Sequence, residues 1–214
     1  MLSLRNSSVA LTGLLALGIT SVANAQIIAT SREIGSLELA AVGPVVYSGI
    51  PDPYSAFARA TGVLSTDDYQ AATSAPTFVL DNLQFVGGVG ATNGIIDINF
   101  FNSAQTFVTG FGVQLPQAGD FIWTISGLSN LGAIPSNGFM QLTARTGSTG
   151  RWFFTTTAPT IGTNSTAVGT GSGLNPQRNN AFQLTSAVPE PGSVALLIGM
   201  TTMGGMLVLR RRRK

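Results

Sequence analysis

Cysteine and histidine are both absent from the 214-residue chain, and only 9% of its residues are charged. Without thiols or imidazoles the chain alone supplies no disulfide, zinc-finger, haem-histidine or iron–sulfur site. Ser-His-Asp and Cys-His catalysis are excluded with them. The lack of cysteine leaves the compartment open, because a protein of an oxidising space need not use it. The charged fraction falls far below the roughly 25% of an average domain. That argues against a highly charged disordered chain and against a typical cytosolic enzyme. The chain is instead 44% hydrophobic and holds 26 glycines, in a length that suits one domain with a sizeable core.

The few charges are unevenly placed. The formal net charge is +2, yet Arg5, Arg210, Arg211, Arg212, Arg213 and Lys214 supply most of the basic residues. Between residues 26 and 187 stand five arginines and eight acids, a net of −3. The basic pI of about 9.5 therefore belongs to the ends, and a nucleic-acid partner is excluded as its explanation.

Residues 1–25 read as a secretory signal peptide. Arg5 and the terminal amine form a weakly positive start, and residues 9–22 form a short apolar stretch. Ala23-Asn24-Ala25 supplies the small-x-small pattern that signal peptidase requires, so cleavage is expected before Gln26. A retained signal anchor or a buried helix is the plainer alternative.

Residues 188–214 have three parts. Val188-Pro189-Glu190-Pro191-Gly192 leads directly into an apolar run over 193–209, and Arg210, Arg211, Arg212, Arg213 and Lys214 follow. The run is 17 residues long and carries no ionisable group. As a helix it spans ~25 Å, the short end for crossing a bilayer core. Thr201 and Thr202 are tolerable there because their hydroxyls bond back to helix carbonyls. The basic cluster favours the cytoplasmic side, which places the preceding body outside and agrees with the export signal. The plainer alternative is an ordinary stop-transfer anchor.

This succession resembles the PEP-CTERM sorting signal of Gram-negative bacteria, with Pro189, Glu190 and Pro191 as its motif. The resemblance implies recognition by an exosortase, a membrane-embedded cysteine transpeptidase-like enzyme, and cutting near the motif. It also implies export across the inner membrane, a transient anchor with the C-terminus in the cytoplasm and contact with membrane lipid. The body would then be delivered to the cell surface or extracellular matrix, in a family associated with extracellular polysaccharide and biofilm. Glu190 is in this reading a recognition carboxylate of the substrate and not a catalytic acid. A stiff, extended Pro-Glu-Pro segment held at fixed depth by a helix is physically suited to such recognition.

The body over 26–187 is expected to be all-β, an antiparallel β-sandwich or jelly-roll-like domain flanked by the signal-peptide helix and the transmembrane helix. Strands are expected at 37–42, 45–48, 77–86, 95–101, 107–115, 121–126, 139–144, 151–156 and 181–185. Ile96, Ile98 and Phe100 alternate with Asp97 and Asn99, and Met140, Leu142 and Ala144 with Gln141 and Thr143. That period of two marks half-buried antiparallel strands. No crossover helices separate the runs, which argues against a parallel α/β fold. Gly87-Gly88 and Asn93-Gly94 are expected to bracket a connection, and residues 116–120 a turn. Residues 55–70 are the expected place for a helix or structured excursion. Phe85-Val86-Gly87-Gly88-Val89 and the stretch 115–121 are similar to body domains of other PEP-CTERM proteins, and assign no activity.

Sites within the body are thinly marked. Asp67-Asp68 is a candidate Ca²⁺ ligand pair, with a solvated loop as the plainer reading. Trp152, beside a glycine-rich loop, is the better candidate glycan contact, with core packing the plainer reading for it and for Trp123. Asp97 and Asp120 are acids of the kind a glycosidase pairs, but eight scattered acids offer many such pairs. No catalytic residue and no cofactor is assigned. The sequence thus favours a non-enzymatic exported surface or matrix protein whose partners are signal peptidase, an exosortase-type enzyme and membrane lipid. A carbohydrate-binding module that holds polysaccharide, or a secreted glycan hydrolase or lyase, are the rival readings.

Overall fold

The computed structural model describes residues 26–35, 43–50, 53–55, 61–155, 157–164 and 179–187. Those residues form antiparallel β-structure. In chain order the strands are β1 (Ile28–Arg32), β2 (Val45–Ser48), β3 (Tyr54–Ser55), β4 (Gly62–Gln70), β5 (Thr77–Val89), β6 (Gly94–Asn102), β7 (Phe107–Leu115) and β8 (Gly119–Ser126). A single 3-10 turn, Leu128–Leu131, precedes β9 (Ala133–Pro135), β10 (Asn137–Ala144), β11 (Gly150–Trp152), β12 (Phe154–Thr155), β13 (Asn179–Asn180) and β14 (Phe182–Ser186).

Two sheets pack face to face, as in a β-sandwich. The first runs β1-β8-β5-β14-β2, with β9 and β11 also paired to the long β5. The second runs β4-β10-β6-β7, and a small sheet β13-β12-β3 stands apart. The alternation expected for β6 and β10 is present: Ile96, Ile98, Phe100, Met140, Leu142 and Ala144 are buried, and the residues between them are half-buried on the outer face. From the first sheet Leu83, Phe85, Trp123, Ile125, Phe182 and Leu184 meet them in one core. Each such side chain contributes ~1.5–3 kcal/mol by leaving water. Phe78 and Leu80 join the same core because the β5–β14 register shifts between Leu80 and Asn82. One extra residue in a strand returns the following side chains to the face they would otherwise leave.

The rear of the first sheet is also covered. Val86, Ile122 and Ala181 form a second buried cluster against Ile50, Tyr54 and Phe153. This explains why β5 is buried on both faces from Leu83 to Val89.

Three sequence expectations are corrected. Residues 62–70 form the nine-residue strand β4 rather than a helix, paired along its length with β10. Gly87 and Gly88 lie inside β5 and not in a turn. Neighbouring strands approach so closely that a Cβ on Gly88 would collide with the Gly119 carbonyl, and one on Gly87 with that of Arg151. The turn itself falls at 90–93, where Asn93 takes φ 64 and the Gly94 N–H donates to the Ala91 carbonyl at 3.2 Å. The expected strand 151–156 is two short strands, β11 and β12, broken at Phe153. Among the described residues no helix is long and apolar enough to cross a membrane. The expected signal peptide over 1–25, the expected strand at 37–42 and the expected sorting segment over 188–214 lie outside the described residues.

Candidate functional site

The expected sorting motif Pro189, Glu190 and Pro191, the basic residues from Arg210 to Lys214, and Ala23 and Ala25 of the expected cleavage site all lie outside the described residues. Gln26 is described, is exposed, and lines a groove between β1 and β7 with Ile28, Asn93 and Gln114.

Asp67 and Asp68 are consecutive residues of a strand, so they point to opposite faces of the second sheet. Asp67 faces inward opposite Met140, and Asp68 faces outward opposite Phe139. The expected shared cation therefore fails on geometry, because the strand separates the two carboxylates. Among the described residues no cluster of three or more acidic side chains is placed to hold a metal ion.

Asp67 is wholly buried. Its Oδ2 accepts the Asn180 N–H at 2.6 Å, and its Oδ1 accepts the Asp68 N–H at 3.0 Å. The Asn180 side chain donates in turn to Ser65 Oγ at 2.8 Å. Burial pushes the Asp67 carboxyl well above the usual range, the two backbone N–H groups pull it back, and the neighbouring Asp68 charge adds to the rise. With no exposed surface, Asp67 meets no substrate from solution. It works as an acceptor that ties β13 to β4.

Aromatic rings wall this acid. Tyr47 stacks on Phe182 at 4.6 Å between centroids, and Tyr69 meets both edge-on at 6.1 and 6.3 Å. The Tyr69 hydroxyl donates to the Pro135 carbonyl at 3.0 Å, whereas the buried Tyr47 hydroxyl has no hydrogen-bond partner among the described residues. Burial raises both phenols far above their ordinary value, and the Asp67 and Asp68 charges raise Tyr47 further. Trp152 belongs to the same wall. It is 3% exposed, its Nε1–H donates to the Ala181 carbonyl at 3.2 Å, and its ring tilts against Phe182 at 5.7 Å. The candidate glycan contact at Trp152 is thereby corrected, and the plainer reading of core packing agrees with its burial. Pairing of β11 with β5 turns the indole into the core.

The outer face of the second sheet is the more accessible constellation. Asp97 of β6 is bound by Arg145, whose Nε–H donates to Oδ2 at 3.1 Å and whose Nη2 reaches Oδ1. Asp120 is bound separately by Arg151, on the first sheet. Asp97 and Asp120 thus have different partners on different sheets, and the structure does not bring them together. Beside the Asp97–Arg145 pair runs an open groove of about 370 Å³ lined by Asp97, Asn99, Phe107, Gly110, Gly112 and Thr143, among others. Sequence reasoning passed over this face. The readable signal was Gly110-Phe111-Gly112 in β7, which leaves one side of an edge strand without side chains.

No protein-family model, no curated protein and no solved structure matches this chain.

Proposed function

We propose that this chain is an exported, non-enzymatic cell-surface or extracellular-matrix protein, sorted through a C-terminal signal of the PEP-CTERM type and linked to extracellular polysaccharide. The observation that carries the reading is the succession of Pro189-Glu190-Pro191, the ionisable-free run 193–209 and the basic cluster from Arg210 to Lys214. The antiparallel β body is the cargo, and the jelly-roll-like topology with a helix at each end completes the architecture proposed for the precursor. Export is supported by the Ala23-Asn24-Ala25 pattern behind a short apolar stretch. The orientation follows from the basic cluster, which holds its end of the helix on the cytoplasmic side.

In this reading the helix fixes the depth of the Pro-Glu-Pro segment, and the two prolines keep it extended for the sorting enzyme. The catalytic thiol that cuts it belongs to that enzyme, since this chain has no cysteine. Replacing Pro189, Glu190 and Pro191 together by Ala tests the assignment in the native host. The tail should stay uncut while export continues, seen as a membrane-retained species of higher mass. Normal processing of the triple variant refutes it.

A further inference from the structure

Register sets the outer face of the second sheet in rows. Asn99 stands between Gln141 and Gly110, and Asp97 between Thr143 and Gly112. In the next row Phe101 stands between Phe139 and Phe107. Phe107 is 58% exposed, and Phe101 props it edge-to-face at 5.9 Å between centroids and 78° between planes. An aromatic face is thus held open beside polar groups.

Those polar groups lie flat. A Cβ on Gly110 would collide with Asn99 Oδ1, and one on Gly112 would meet Arg145 Nη2 and sit 2.8 Å from Asp97 Oδ1. Glycine at both positions lets the Asn99 amide and the Asp97–Arg145 fork spread across β7 instead of standing off the sheet. Among the described residues the Asn99 amide has no hydrogen-bond partner, so its donor and acceptor both remain available. Arg145 keeps its side chain 48% exposed beside the half-buried Asp97. The groove of about 370 Å³ lies at the small end of the ~300–1,000 Å³ typical of small-ligand sites.

We propose that this groove binds a neutral pyranose chain. A pyranose ring carries an apolar C–H face and a rim of hydroxyls that each donate and accept. Phe107 fits the C–H face, since an aromatic ring offers large apolar contact at little entropic cost. Asn99, Asp97 and Arg145 fit the hydroxyl rim, because a planar amide and a planar ion pair present donors and acceptors side by side. One carboxylate against one guanidinium leaves the groove without net charge, which favours a neutral glycan over a polyuronate. The assignment goes beyond the sorting role, which rests on the tail, so either can fail while the other stands.

Titration calorimetry on the full-length protein, in a detergent without a sugar headgroup, tests it. The probes are hexasaccharides of glucose, mannose and galactose, with a hexamer of galacturonic acid for contrast. At least one neutral hexasaccharide should bind. Phe107→Ala and Asn99→Ala should each weaken it about tenfold or more, the scale of a central contact residue, with the thermal midpoint unchanged. Should Phe107→Ala lower the midpoint, Asn99→Ala decides alone. No binding to any neutral probe, binding to the uronate alone, or affinity unchanged in Asn99→Ala overturns the proposal.

Discussion

Asp67→Asn turns the buried carboxyl of β4 into a group that does not titrate, and its effect should depend on pH. The wild-type acid loses its proton in the unfolded chain near the ordinary value of ~3.9, but burial holds the folded carboxyl well above that. Above ~3.9 and up to the raised folded value, the unfolded state has released a proton that the folded state keeps. The contribution of Asp67 to stability is therefore complete below pH ~4 and is lost as pH rises toward its folded value, by ~1.4 kcal/mol for each unit of displacement. The Asn variant lacks this loss but carries a fixed one. Its amide oxygen still accepts one of the two backbone N–H groups that Asp67 holds at 2.6 and 3.0 Å, while its NH₂ faces the other. A stranded buried donor costs ~1–3 kcal/mol. The variant should thus be less stable than wild type at pH 4, with the gap narrowing or reversing toward pH 8. Urea unfolding followed by fluorescence of the buried Trp123 and Trp152 reads this directly, and all other titrating groups cancel in the difference. A gap that stays constant from pH 4 to pH 8 refutes the reasoning.

Two further outcomes follow from the aromatic wall. Phe182→Ala removes the fully buried ring that touches Tyr47, Tyr69 and Trp152. It should cost ~3–5 kcal/mol, lowering the calorimetric Tm by about 6–20 °C, and a loss under ~1 kcal/mol would contradict this packing. The raised Tyr47 and Tyr69 phenols keep their protons while folded, so their contribution is complete below pH ~10 and is lost as the solution becomes more alkaline. Absorbance titration at ~295 nm should show at most one of the three tyrosines ionising before the β-sheet circular dichroism collapses. Ionisation of all three near pH ~10 with the spectrum intact would contradict it.

The parts of the fold legible in the sequence were those where side-chain period and burial agree. Residues 45–48 and 107–115 are the observed β2 and β7, and the inward sets of β6 and β10 were readable from Ile96-Ile98-Phe100 and Met140-Leu142-Ala144. Strand β4 was hidden because beyond the bulge at Leu64 its inward positions Ser65, Asp67 and Tyr69 include only one apolar residue, and Asp is a poor strand former. The N–H of Asp68 and the distant N–H of Asn180 together make an inward Asp67 tolerable there. Gly87-Gly88 carries the composition of a turn, but here glycine serves three strands crowding together. Trp152 looked exposed from its glycine-rich neighbours, whereas the β5 pairing that buries it spans more than 60 residues of sequence. Of the outer groove only Gly110-Phe111-Gly112 was readable, and its ion pair was not, since Arg145 and Asp97 are 48 residues apart.

The sorting reading makes one statement about covalent structure, and intact mass of the protein recovered from outside the inner membrane tests it most directly. The expected species begins at Gln26, has lost Met1–Ala25, and ends near Pro189-Glu190-Pro191 without the run 193–209 or Arg210 to Lys214. A species that still carries the whole of 188–214 would contradict sorting through this tail, and one that retains Met1–Ala25 would contradict the cleaved export signal.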